Sequence, residues 1–426
     1  MPLFRQQTAA VRSETISPIR NASFNKGGSA RVRKQGGTPV QGPANVQIFE
    51  GSTDGNRQVD PQIAVGGGHI LHGTNNGFVI YDKRGTYRMG VPQSEFNQGI
   101  DPKMVFHLKS KTYVFDLWNP WDDAKKKPVN VSVSETSDPT SAWNTYPVPA
   151  PGGVDGGAIG ASSKWIGYSF PGGPEQTFVM SLADARAGKP VQVYHFAGNL
   201  GHPVNHQDDT DDILFFQFGR GGELVITTVG AGPDGAPVIK SVVRKPHGIE
   251  YMQFPPQAAQ KGTDKRTASG DRNPKNVVLQ SKHLWFAQTV NVDGRAAVQW
   301  HQLRLDGTFV QSGRISHPVN SYIEASIGVN KDNDVLVGFQ EAGPDMFISP
   351  RCAFRAAGDA PGTTRGLISL GEGLAATEGG AWGDYSCTTV DGDNGIDLWT
   401  IQSMANAKGR GDCRIAKIDV KAMRRK

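Results

Sequence analysis

The chain has 426 residues, of which 53 are Gly and 27 are Pro, with 37% hydrophobic and 20% charged residues and a net charge of +5. About one residue in five is therefore a helix breaker, which excludes coiled coils and helical bundles, while the charged fraction is too ordinary for a wholly disordered chain. No apolar run reaches the ~20 residues that span a bilayer, and three cysteines (Cys352, Cys387, Cys413) allow at most one internal disulfide, so this is no disulfide-built scaffold.

The positive charge belongs to the first segment. Residues 1–36 hold seven Lys and Arg against Glu14 alone, a surplus of six, so the remainder is nearly neutral. With Phe4 and Phe24 as its only aromatics, this segment cannot bury enough apolar surface to fold by itself. We read 1–43 as a disordered or extended basic arm and 44–426 as the folded body. The opening MPLFRQQTAAVRSETISPIR has no apolar stretch of signal-peptide length, so Sec export is not expected. A basic arm suits an acidic partner groove, an anionic surface or nucleic acid, and its charges specify none of them. As a tether, residues 1–40 would be dispensable for folding and required for assembly.

From residue 44 onward, short β-branched and aromatic runs alternate with Gly, Asn, Asp and Pro, the pattern of many antiparallel strands. Only SLADARAG (181–188) reads as helical. Seven units with a small-residue first strand start at Asp60, Asp101, Val154, Asp211, Asn276, Ile323 and Gly383. Repeats of this length, each made of about four strands, predict an all-β seven-bladed propeller. AIGAS (158–162) and ASIGV (325–329) fit first strands crowded against a central axis. Residues 44–50, ANVQIFE, are expected to close the ring on the last blade. The fourth unit is the least regular, and the polar stretch 253–275 reads as a mobile excursion.

The opening DPQIAVGGGHILHGTNNGFVIYDKRG, the closing AWGDYSCTTVDGDNGIDLWTIQS and above all Trp382-Gly383-Asp384-Tyr385-Ser386 resemble a group of sialidase-like seven-bladed propeller proteins, mostly secreted and bacterial. The resemblance covers most of 60–420. It implies the propeller fold; members of the group largely lack an assigned activity. The Asp-box turns of sialidases proper are not found here, and no triad of substrate-binding arginines can be assigned.

Six of the seven units begin with a carboxylate: Asp60, Asp101, Asp155, Asp212, Glu324 and Asp384, with Asn276 in the fifth. First strands of a propeller all start at one end, so these acids are expected to converge on one mouth of the channel. There they either bond their own turns or form a polar funnel for a cation, an amine or a sugar. Asp384, Tyr385 and Glu324 have the residue types for glycosidase chemistry, whereas Trp382 and Tyr385 also suit packing between blades. Trp118, Trp121, Trp165 and Trp285 are further rings for stacking on sugars, or core.

Two segments have metal-ligand composition. Asp391, Asp393 and Asp397 place oxygen ligands at alternating positions, compatible with calcium or with a hairpin turn. His202 and His206 precede Asp208, Asp209, Asp211 and Asp212, but Pro203 denies them a helix. Gly230-Ala-Gly232-Pro-Asp-Gly235 satisfies a dinucleotide fingerprint without the helix that must follow it. No Walker loop, nucleophile elbow or CxxC is found in the sequence.

Two functions follow. One is an outward-facing recognition module, binding a glycan or a surface protein through the propeller face, with the arm anchoring it to a cell surface or virion. The other is a glycosidase or polysaccharide lyase acting at the channel mouth. The expected location is extracellular, cell-surface or virion-associated. No specific nucleic-acid reading and no membrane span are expected.

Overall fold

The computed structural model describes residues 8–21, 36–52, 60–120, 128–150, 157–170, 176–218, 222–250 and 253–425. It is a seven-bladed β-propeller. The innermost strands of blades 1 to 7 are Gln62–Gly66, Ile100–His107, Ala158–Ala161, His202–Pro203, Val277–Gln280, Ser321–Val329 and Cys387–Val390. Each blade then steps outward through antiparallel neighbours. Small residues on the inner strands are a steric requirement: a Cβ on Gly160 would lie 2.6 Å from the Val204 carbonyl oxygen, and one on Gly328 would lie 3.1 Å from the Thr389 nitrogen. Between blades, large side chains fill the seams, with Trp143, Trp285, Trp300 and Trp399 fully buried.

Val46–Glu50 closes the ring as expected, pairing antiparallel with Gly411–Ile418 in blade 7 through Ile48 opposite Ala416 and Phe49 opposite Ile415. The helical expectation at 181–188 also holds, as Leu182–Arg186 with the Ser181 hydroxyl accepting from the Asp184 N–H. A second short helix, Val420–Arg424, capped by Asp419, follows the last strand.

Two details depart from the sequence reading. The fourth unit does not start at Asp211: its inner strand is His202–Pro203, and Ile213–Phe218 is the second strand. A His and a Pro are all that this inner strand contains, which disguises it, and the register slips by one strand as a result. Part of 253–275 folds as a hairpin, Ala258–Gln260 with Thr263–Thr267. Ala258, Gln260, Thr267 and Ser269 are buried, and the Gln260 carboxamide oxygen accepts from Thr377 N–H. The three cysteines, in blades 6 and 7, are buried and not joined in a disulfide.

The described part of the basic arm is extended and runs around the rim. Thr8–Ala9 pairs with the outer strand of blade 4, Arg12–Ile16 with that of blade 3, and Ile19–Asn21 with that of blade 2. The arm cannot fold alone, and here it completes its backbone hydrogen bonds on edges that the blades supply. Its charges are used locally: Arg20 makes two bonds to Glu135, 3.0 and 3.1 Å, and Glu14 meets the buried His195 ring at 2.9 Å.

At the face where inner strands end, neighbouring turns latch to one another. Asp393 accepts from the Gly67 and Gly68 amides at 2.7 and 2.8 Å, tying blade 7 to blade 1. Gly67 has a φ of 53°, and a Cβ there would collide with the Ser137 carbonyl. Asp208 does the same to Ser281 and Lys282 N–H, 2.7 and 2.6 Å, tying blade 4 to blade 5. Among the described residues no helix is long and apolar enough to cross a membrane.

Removing residues 1–21 strips the edge cover from blades 2, 3 and 4. The truncated chain is expected to stay a propeller by circular dichroism, melt a few degrees lower and self-associate more readily; an unchanged Tm would show that the rim strands contribute nothing. Asp393→Ala should cost about 1–2 kcal/mol in denaturant unfolding, since two amides lose a charged acceptor. Asp397→Ala, whose main partner Lys417 is partly exposed, should cost under about 1 kcal/mol.

Candidate functional site

The face where the inner strands begin carries the converging acids. Asp60 precedes blade 1's inner strand, Asp101 starts blade 2's, Glu324 lies in blade 6's, and Asp384 precedes blade 7's. The Asp60 carboxylate accepts from Asp384 N–H at 2.6 Å and from Asn75 Nδ2 at 2.9 Å, and the Asn75 side-chain Oδ1 accepts from Asp101 N–H at 2.9 Å. One asparagine thus joins the acids of blades 1 and 2. Asp212 is not part of this group. It starts the second strand of its blade, at the opposite face, paired with Lys240 at 2.9 Å. Asp155 and Trp121 lie outside the described residues.

Three of these acids hold a backbone conformation that side chains disfavour: φ is 44° at Asp60, 55° at Asp101 and 54° at Glu324. At Asp101 and Glu324 the ladder register shifts, so each acid sits at a bulge in its inner strand. A left-handed non-glycine residue is strained by ~1 kcal/mol or more, and such strain gathers where side chains must be aimed.

The group is also buried to an unusual degree for charge. Asp60 is 2% exposed, Glu324 3%, Asp116 1% and Lys103 7%. Both Glu324 carboxyl oxygens and the Lys103 ammonium have no hydrogen-bond partner among the described residues. Burial, reinforced by Asp60 and Asp384 and opposed by Lys275, holds the Glu324 carboxyl well above the usual carboxylate range. Burial likewise raises Asp60 and lifts Asp116 to about 7. It lowers Lys103 to about 8. In its protonated form, which this burial favours, Glu324 can donate one hydrogen bond and accept others.

Tyr385 is brought to this group. Its ring is buried under the Lys103 ammonium and its hydroxyl donates to the Pro102 carbonyl at 3.1 Å. Burial and the surrounding acids raise its phenol further above the ordinary tyrosine range. Trp382 is buried seam packing, as are Trp165 and Trp285. Trp118 differs: it is half-buried and stands opposite Ile100, next to Asp101.

Lys103, Asp116, Lys275 and Asp271 were missed from sequence. A signal for the first two was available, since a Lys in the apolar strand DPKMVFH and an Asp in TYVFDLW are charges inside buried strands; the structure sets them directly opposite one another.

The channel below the mouth is narrow, a cavity of about 40 Å³. That holds a few water-sized species and no sugar ring, so any large ligand must sit at the rim.

The metal-like segments serve structure. Asp391 accepts from Lys83 at 2.5 Å and from the Trp399 indole at 3.2 Å, Asp393 takes the Gly67 and Gly68 amides with Lys83 at 2.6 Å, and Asp397 takes Lys417 at 2.7 Å. A calcium ion there has to displace Lys83. His202 contacts the Pro203 and Lys275 carbonyls, and His206 accepts from Leu214 N–H, both rings kept neutral by burial, at about 4 and about 3. Among the described residues no group of three His, Cys, Asp or Glu is placed to hold a metal ion.

No protein-family model matches the chain, and no curated protein matches its sequence. Among solved structures, it is similar to a Quinonprotein alcohol dehydrogenase-like protein from Bacteroides thetaiotaomicron, with 9% identity, 77% of each chain covered and a TM-score of 0.41. It is also similar to the Nup133 β-propeller domain of Vanderwaltozyma polyspora, with 9% identity, 89% of this chain and 100% of that one covered and a TM-score of 0.41. A polysaccharide lyase, PL25 ulvan lyase, has 9% identity, 96% and 95% coverage and a TM-score of 0.36. Likenesses this distant carry no chemistry from one chain to another.

The raised Glu324 has a signed consequence. In the folded chain it keeps its proton after the unfolded chain has lost it, so its contribution is fully present below the unfolded value of 4.5 and fades as pH rises toward the folded value. As pH rises above about 5, wild type should lose stability relative to Glu324→Gln, with a limiting slope of about 1.4 kcal/mol per pH unit. Parallel stability-against-pH curves for the two proteins would refute the assignment.

Proposed function

We propose that the protein is a recognition module that binds the end of a polyhydroxylated or amino-bearing ligand, a glycan in the first instance, at the mouth of its propeller. The observation that carries this reading is Glu324, a buried acid with both oxygens unpartnered. An unpaired buried polar group costs about 1–3 kcal/mol, and a ligand hydroxyl or ammonium would relieve it. Exposed Asp384, partly exposed Asp101 and the half-buried Trp118 ring give such a ligand a polar rim with one stacking surface. The strained backbone at Asp60, Asp101 and Glu324 supports the same reading, because ordinary turn acids do not need it. With the mouth turned outward and the arm bound along the rim, the module suits display on a larger assembly such as a cell surface or virion.

A second reading, glycoside cleavage, draws on one feature: burial favours the protonated form of the Glu324 carboxyl, which is what a general acid requires. Asp384 is the exposed carboxylate candidate on the rim, with the buried Tyr385 beside it.

A glycan array probed with the full chain, in calcium and in EDTA and with mass spectrometry of every hit, separates the two. Binding without product, weakened at least about tenfold by Asp384→Ala or Trp118→Ala, is expected. Product formation lost in Glu324→Gln would transfer the assignment to the enzyme, and the absence of any hit would remove the glycan.

A further inference from the structure

Below the acids the charge reverses. The wall of the channel cavity contains Lys103 and Lys275 and no carboxylate; its other polar groups include Gln62, Asn276, Ser386 and Thr388. The Gln62 amide, and the second N–H of Asn276 beyond the one given to the Ile327 carbonyl, can turn inward, whereas Ser386 donates to the Glu324 carbonyl and Thr388 bonds Ser326 and Thr400. Lys103 is 7% exposed, its ammonium lies over the Tyr385 ring without a hydrogen-bond partner among the described residues, and Asp60, Asp101 and Asp116 act on it without a salt bridge. After burial, the largest influence disfavouring its charge is Lys275. Lys275 itself leans on Asp271 at 3.9 Å, a loose pair with both side chains about 30% exposed. Two ammonium groups thus line one small cavity whose wall holds no carboxylate; Lys275 has Asp271 as a loose partner, and the acids that act on Lys103 stand outside that wall. Water alone leaves that repulsion in place, whereas an anion between them removes it.

We propose that the channel binds one small monovalent anion, a halide or the carboxylate of a small organic acid, between Lys103 and Lys275. The cavity of about 40 Å³ exceeds the space that one water needs and excludes anions with a bulky body. The Gln62 and Asn276 amides of the wall supply the remaining bonds, as charge-assisted donors do for buried anions elsewhere. This site lies beneath the rim described above and does not depend on what the rim binds.

Chloride-35 NMR on the full chain tests it, with sodium gluconate holding ionic strength constant. A saturable excess linewidth is expected, with affinity reduced at least about tenfold in Lys103→Met and in Lys275→Met, the loss of one charged hydrogen bond. Lys275 is partly exposed, so its variant keeps the test usable if Lys103→Met does not fold. Formate that competes identifies a carboxylate-compatible site, and formate that does not restricts it to halides. Excess broadening that is absent in wild type, or unchanged in Lys275→Met, overturns the proposal.

Discussion

Everything in this molecule follows from bringing seven sheets edge-on to one axis. Inner strands that meet there have no room for side chains beyond the smallest, and Gly160 pressed against Val204 shows how little is left. Residues at the strand starts then have two options, to point along the channel or to bend away. At Asp60, Asp101 and Glu324 the backbone turns left-handed to do this. Convergence of chains thus becomes convergence of acids. The burial that comes with it changes their protonation without any dedicated partner.

The two ends of the channel solve the same crowding differently. At one end, turns are stitched together by carboxylates that each take two amides, as Asp393 and Asp208 do. These acids are consumed by the fold. At the other end the acids are left with open valences, Glu324 most of all, and a lysine sits among them. Stability is concentrated on the latched face and unspent polarity on the open one, which is why the open face carries the functional reading.

Much of the architecture was legible in the chain. The spacing of the units, the small inner strands and the closing strand at 44–50 each express a steric demand that residue types reveal directly. The acids at Asp60, Asp101, Glu324 and Asp384 were legible for the same reason. Asp212 was misplaced because HPVNH does not look like an inner strand, so the count began one strand late. The DGDNGID turn looked like an ion site because composition gives the oxygens and not their partners; Lys83 and the Gly67 and Gly68 amides come from far along the chain. The edge pairing of the arm was invisible, since 8–21 forms strands only against partners that blades 2, 3 and 4 provide.

The closing pair between Val46–Glu50 and Gly411–Ile418 also imposes an order in time. On the ribosome, residues 46–50 emerge among the first and their partner strand among the last, so the ring cannot shut until some 360 residues have been made between them. Until then six blades can form by local hairpins while Val46–Glu50 waits for the blade 7 strand that it pairs with, and contacts of such long range are slow to find. An unpaired strand held that long is a sticky edge. The polar, basic sequence around it, with the arm free to lie on rims already built, keeps the nascent chain soluble during the wait.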